Sequence, residues 1–160
     1  LTLVILTLGA LAVSADFRKA VYTMIQKFLP IEMQLTYQVD GESLEQLPNG
    51  YSDHYVPDGF ERDYEQGYDD AQAFLHVYTD IMTNDFYTVS CAIVQNQNQK
   101  ELFDNEHTKY RKVKMGDVEA LLGEDKNTGY YLVWEDEGIT HTIIGRISIR
   151  ELMLVAQKIY

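Results

Sequence analysis

Apolar and polar positions follow different rules along the chain. Leu1 to Ala15 (LTLVILTLGALAVSA) carries no charge and is mostly aliphatic. From Asp16 to Leu29, Phe17, Ala20, Val21, Met24, Ile25, Phe28 and Leu29 recur at three- and four-residue steps, with Arg18, Lys19 and Lys27 off that stripe. The spacing predicts an amphipathic helix over 16–29. Pro30 ends it by disfavouring helical geometry at Leu29. The period then shortens to two. Met33, Leu35, Tyr37 and Val39 share one face of a strand, and Asp40-Gly41 supplies a turn.

Residues 40–70 break the pattern with Pro48-Asn49-Gly50 and Pro57-Asp58-Gly59, and read as a connector with one short strand near Phe60 to Tyr64. Strand patterns rich in aromatic and β-branched residues follow at Ala73–Thr79 and Phe86–Gln95, with Asp80–Asp85 as the hairpin loop between them. The polar run Gln95–Asn105 reads as a surface loop. Lys109–Met115 leads to the turn Met115-Gly116-Asp117 and a strand over Val118–Gly123. The clearest hairpin is Gly129–Glu135, the turn Asp136-Glu137-Gly138, and Ile139–Gly145. Turn signals at this spacing indicate an antiparallel meander.

A helix over Ile149 to about Ile159 closes the chain. Ser148 and Glu151 stand in capping-box positions, and Ile147 and Leu152 in those of a hydrophobic staple. Ile149, Leu152, Met153, Ala156 and Ile159 form the stripe that should pack on the sheet. No internal repeat is present. The fold class is therefore α+β: an antiparallel meander packed by a C-terminal helix, preceded by an apolar segment and an amphipathic helix. The organisation expected is 1–15 apolar segment, 16–30 helix, 31–70 strand plus acidic connector, and 71–160 core domain.

Charge sharpens this picture. The 160 residues carry a net −12, and residues 40–70 hold ten acids against a single base, Arg62. A chain this acidic lacks the basic face that phosphate binding requires, so nucleic acid is not an expected partner. Three readings of 1–15 stay open. It is the end of a transmembrane helix whose beginning lies before Leu1, a signal-peptide apolar region cleaved after Val13-Ser14-Ala15, or a buried helix. The first two place the rest outside the cytoplasm. The first makes the protein single-pass in the cell membrane, with residues 16–29 lying on lipid headgroups or packing on their own domain.

Candidate chemistry is sparse. His54, His76, His107 and His141 show no metal-ligand spacing, and no HExxH, CxxC or phosphate loop occurs, so no cofactor or metal is expected. His76 and His141 lie inside strand patterns, as hydrogen-bonded structural histidines do. Asp104-Asn105-Glu106-His107 lacks a matching second element for a metal. Cys91, the single cysteine, reads as a buried small hydrophobe. The acids Asp53, Asp58, Glu61, Asp63, Glu65, Asp69 and Asp70 lack the EF-hand order and read as a solvated connector. Among the aromatics, Tyr51, Tyr55, Tyr64 and Tyr68 of the connector either anchor it to the sheet or form a partner-binding edge. Tyr130, Leu132 and Trp134 share one strand face, with Tyr131 and Val133 on the other. That predicts a central strand covered on both sides, or one with a face open to a ligand. The candidate partner-binding residues are Tyr51, Tyr55, Tyr64, Tyr68, Tyr130 and Trp134.

Several of these strings occur in family order. Tyr55-Val56-Pro57-Asp58-Gly59-Phe60-Glu61, then Tyr131-Leu132-Val133-Trp134-Glu135 with Thr140 to Gly145, then Ser148-Ile149-Arg150-Glu151-Leu152 and the closing helix resemble the bacterial domain of unknown function 4367 over about residues 51–160. The apolar segment and Arg18-Lys19-Ala20-Val21 resemble the membrane-proximal part of such proteins. Element order alone is also similar to the C-terminal domain of periplasmic sigma-factor regulators. The resemblance implies an extracytoplasmic domain of a single-span protein, some members carrying anti-sigma-like cytoplasmic segments, and brings no catalytic residues. Three functions follow as expectations. The first is a non-enzymatic sensor or interaction domain with a protein partner. The second is a secreted or anchored protein holding an apolar ligand at the helix–sheet interface. The third, an envelope hydrolase, needs an Asp/Glu/His constellation in a cleft.

Overall fold

The computed structural model describes residues 2–6, 21–28, 32–40, 43–95, 99–104 and 107–160. Eleven strands and one helix appear among them: β1 (Thr2–Leu6), β2 (Val21–Phe28), β3 (Glu32–Asp40), β4 (Phe60–Asp69), β5 (Ala73–Asp80), β6 (Phe86–Ile93), β7 (Gln99–Asp104), β8 (Thr108–Met115), β9 (Val118–Asp125), β10 (Gly129–Asp136), β11 (Ile139–Gly145) and α1 (Ile149–Ala156). The antiparallel meander with its C-terminal helix is present, so the α+β class holds.

Seven strands form one sheet in the order β4-β5-β6-β11-β10-β9-β8, every neighbouring pair antiparallel. Two consecutive meanders, β4–β6 and β8–β11, meet where β6 pairs with β11, Cys91 standing opposite His141. Between them the chain leaves this sheet, contributes β7 to a second sheet of order β1-β2-β3-β7, and returns as the far edge strand β8.

Period-two alternation sorts the side chains onto two covered faces. One face carries Phe74, Tyr78, Val89, Leu132, Trp134 and Ile143. It is roofed by Leu152 and Val155 of α1 and by Leu44, Leu47, Tyr51 and Tyr55 of the connector. The other face presents Leu121 and Val133 to Met33, Leu35 and Tyr37 of β3. Trp134 and Val133 thus enter different cores from adjacent positions, as expected for a central strand covered on both sides. Met33, Leu35 and Tyr37 are buried, which bears out the one-faced pattern read for them.

Glycine is required at two places. Gly67 (φ 111°) sits in the β4 bulge where the pairing with β5 shifts between Asp63 and Gly67, and a Cβ there would collide with the Leu75 carbonyl. Gly129 (φ 92°) opens β10 against the Gly145 carbonyl. The Glu137-Gly138 loop has positive φ at both residues (49° and 85°), the tight turn whose twist matches paired strands.

Three expectations change. Gln99–Asp104 forms β7 where a loop was expected, because an edge strand is held by backbone pairing, here to β3, and needs no apolar alternation. Strand β4 runs five residues beyond Tyr64, its polar sequence suiting an edge exposed on both faces. Val21–Phe28 runs as strand β2 where the three- and four-residue spacing predicted part of a helix. The β-branched and aromatic residues Val21, Tyr22, Thr23, Ile25 and Phe28 favour extended backbone, and pairing with β1 and β3 on both sides overrides the helical period. Residues 16–20 and 29–31 lie outside the described residues, as do Leu1 and residues 7–15 of the apolar segment. No helix among the described residues is long and apolar enough to cross a membrane.

The helix begins as read. Ser148 accepts the Glu151 backbone N–H at 3.1 Å, and Ile147 and Leu152 are both buried. Only half of the capping box forms, because the Glu151 carboxylate accepts the Tyr55 hydroxyl at 2.7 Å instead of turning back to the cap. Val155, outside the predicted stripe, is fully buried.

Candidate functional site

Residues 43–59 cross the roofed face of the large sheet as a strap. Its backbone is clipped to the end of the chain. The Ser52 and Tyr160 N–H groups each donate to the other's carbonyl at 3.1 Å, and the His54 N–H donates to Lys158 at 2.8 Å. Asp53 is thereby bridged to Ile159 and aimed at the sheet.

Its carboxylate is 1% exposed and meets β5. Oδ1 lies 2.5 Å from His76 Nδ1, and Oδ2 accepts the Tyr78 hydroxyl at 2.6 Å. The other His76 nitrogen lies 2.7 Å from Asp69 Oδ1 on β4, and Asp69 in turn pairs with Arg62 at 2.7 Å. Burial alone would raise Asp53, but the His76 and Tyr78 hydrogen bonds and the neighbouring positive charge hold it below its ordinary value. Burial would likewise lower His76, and the two carboxylates instead raise it. A charged imidazolium between two carboxylates therefore fastens the strap to the sheet. Both ring nitrogens are engaged, so neither is available to take a proton from a nucleophile. Cys91, fully buried on the same face, is pushed up by burial and by the Asp53 charge. The Asp/His constellation that a hydrolase would need is present, but it lies beneath the strap and lines neither of the clefts described next.

Nearer the helix end, Tyr51 of the strap reaches His141 of β11, its hydroxyl 2.6 Å from Nε2. His141 stacks on Trp134 of β10 with 4.5 Å between centroids and 2° between planes. Burial lowers His141 to about 3, and burial also raises Tyr51. The pair is neutral at ordinary pH, with Tyr51 donating to Nε2. The remaining ring position, Nδ1, is buried with no hydrogen-bond partner.

Two adjoining clefts open at this point. One of about 420 Å³ runs between the β8–β9 turn and the end of α1, past Met115, Val118, Trp134 and Ala156. The second, about 280 Å³, continues towards Leu44 and Pro48 of the strap and Ile139 of β11. Tyr51, Asp136 and Ile159 border both, so the two form one groove at the helix–sheet interface. Behind its rim, Glu135 is buried and its carboxyl is pushed up to about 7 by burial, against the stabilising Gly138 N–H at 2.7 Å.

The six aromatic candidates separate. Tyr51, Tyr55 and Tyr130 pack against the main core and Trp134 is part of it, whereas Tyr64 and Tyr68 stand 82% and 50% exposed on the edge strand β4. Tyr51 and Trp134 alone meet at the groove. His76 and His141 are hydrogen-bonded structural histidines, as expected. Asp53 differs from the solvated connector acid read for it. A carboxylate in a loop becomes buried only through partners 23 and 25 positions away, which no local pattern shows. Asn105 and Glu106 of the Asp104–His107 string lie outside the described residues, and no metal-holding group of three ligands occurs among the described residues.

An antiparallel sheet whose one face is roofed by a strap and a C-terminal helix, with a groove between them, defines a small α+β domain. The chain belongs to the family named domain of unknown function (DUF4367), whose model matches residues 50–159. No curated protein and no solved structure matches it.

Proposed function

We propose that this protein is a non-enzymatic, extracytoplasmic sensor or interaction domain of a membrane-anchored bacterial protein, of the anti-sigma-like kind. The observation that carries the reading is Tyr51, which borders both parts of the groove and belongs to the strap joining the N-terminal strands to the family domain. A molecule in the groove touches that strap, so occupancy and strap position are coupled wherever the two strap positions bind it differently. The uncharged composition of residues 1–15 supports the anchor, against the pairing of Thr2–Leu6 with β2.

Alkaline phosphatase fused after Tyr160 should be active in cells, and a green fluorescent protein fused there should be dark. Deleting residues 1–15 should move the protein out of the membrane fraction. A bright fluorescent fusion would refute export. An unchanged compartment with lowered stability on deletion would assign residues 1–15 to the sheet through β1 instead of to an anchor.

A second reading, a secreted or anchored protein that holds an apolar ligand, is favoured by the groove's position at the helix–sheet interface. Native mass spectrometry of protein from its own envelope should then show added mass, and a clean apoprotein would count against it.

A further inference from the structure

The groove combines an apolar floor with charge of one sign at its mouth. Met115, Val118, Trp134, Ala156 and Ile159 supply the floor. Asp136 stands where the two clefts join, and Glu137 borders the second beside it. No Lys or Arg lines either cleft, and His141, the basic side chain there, is neutral. Neither Asp136 nor Glu137 forms an ion pair among the described residues, although Arg62, Lys112 and Arg146 each find a carboxylate elsewhere. Partial burial and the Glu137 charge both raise Asp136, as befits a carboxylate facing an unneutralised neighbour. The indole of Trp134, buried and stacked on His141, contributes an apolar edge to the cleft wall. The combined space suits a small molecule.

We propose that the groove is a binding site for a small amphipathic cation, an organic amine or quaternary ammonium whose apolar body lies on Trp134 and Ile159 and whose charge sits against Asp136 and Glu137. The proposal rests on the ligand-binding reading and names its ligand class. Charge complementarity argues for it over a neutral or anionic lipid. The acids at the mouth have no counterion among the described residues, and a cation replaces water beside them while pairing their charge.

The test uses three probes sharing one eight-carbon chain: octyltrimethylammonium, octanol and octyl sulfate, each kept below its aggregation threshold. Each is titrated against the full chain with Trp134, the single tryptophan, as fluorescent reporter and with calorimetry alongside. Octyltrimethylammonium should bind at least tenfold more tightly than octanol, and octyl sulfate more weakly than both. Asp136→Asn should cut the ammonium affinity about tenfold and leave octanol unchanged, and Asp136→Lys should abolish ammonium binding. Asp136 is exposed at the last position of β10, so both variants should fold, which circular dichroism checks. Equal binding of all three probes, or an ammonium affinity indifferent to both variants, overturns the cation assignment while leaving an apolar-ligand site standing. Absence of binding by every probe overturns the ligand-binding reading together with the proposal.

Discussion

Replacing Glu135 by Gln keeps the shape of a buried side chain and removes its titration. In the folded protein this carboxyl is pushed up to about 7 from an ordinary 4.5, because burial penalises its charged form. Between those two values the folded state holds a proton that the unfolded state has released, so stability falls as pH rises through the interval. A gap of two to three pH units corresponds to about 3 kcal/mol, at roughly 1.4 kcal/mol per unit. The glutamine variant retains an oxygen for the Gly138 N–H and lacks that slope. Urea unfolding followed by Trp134 fluorescence should therefore show E135Q close to the parent at pH 4 and about 3 kcal/mol more stable at pH 8. Titrating groups remote from Glu135 are shared by the two proteins and cancel in the difference. Equal stability differences at both pH values would refute the argument that burial controls this group. An E135Q variant less stable than the parent at pH 8 would show that the ionised carboxylate is held favourably after all.

Three further outcomes are expected. Asp53→Asn strips the buried imidazolium of its main partner and should cost about 3–5 kcal/mol near pH 5.5. In the parent, the raised His76 contributes fully below its ordinary 6.5 and loses that contribution as pH rises through its folded value. The lowered Asp53 contributes above its ordinary 3.8 and loses that as pH falls, so the cost should shrink at both extremes, and a cost independent of pH would contradict the charged network. Gly67→Ala places a Cβ against the Leu75 carbonyl at positive φ and should lower the melting temperature by more than Gly116→Ala, whose Cβ meets nothing, as differential scanning calorimetry will read. Ser148→Ala should cost about 1 kcal/mol in urea melts, and a neutral result would mean that Ile147 and Leu152 fix the helix start unaided.

Much of the architecture is legible in local sequence because it is local in cause. The alternation of Phe74, His76 and Tyr78 and of Leu132 and Trp134 writes one sheet face directly, and Ser148 marks the helix start. The hairpin at Glu137-Gly138 joins strands adjacent in sequence. What was not legible is non-local. Strand β7 exists because β3, some sixty residues earlier, offers an edge to pair with, while its own residues, QKELFD, resemble any polar loop. The strap's attachment depends on Asp53 finding His76 and Tyr78, and the groove depends on the strap, α1 and the β8–β9 turn converging. The two histidines were the available clue. A titratable ring at an apolar-face position requires a polar partner from the layer above, and the connector was the one segment rich enough in acids and tyrosines to provide it.

The clip between residues 52–54 and 158–160 lies within four residues of both limits of the family match. The polypeptide therefore enters and leaves this domain at one corner, through a single short seam of backbone pairing. New termini cut at the exposed Asp80–Asp85 loop, with the old ones joined across the seam, should yield a folded permutant. Tension drawn along the chain would load the seam like the teeth of a zip, one hydrogen-bonded pair after another. Pulled between residues 50 and 160, the domain would open this seam before the large sheet bore the load.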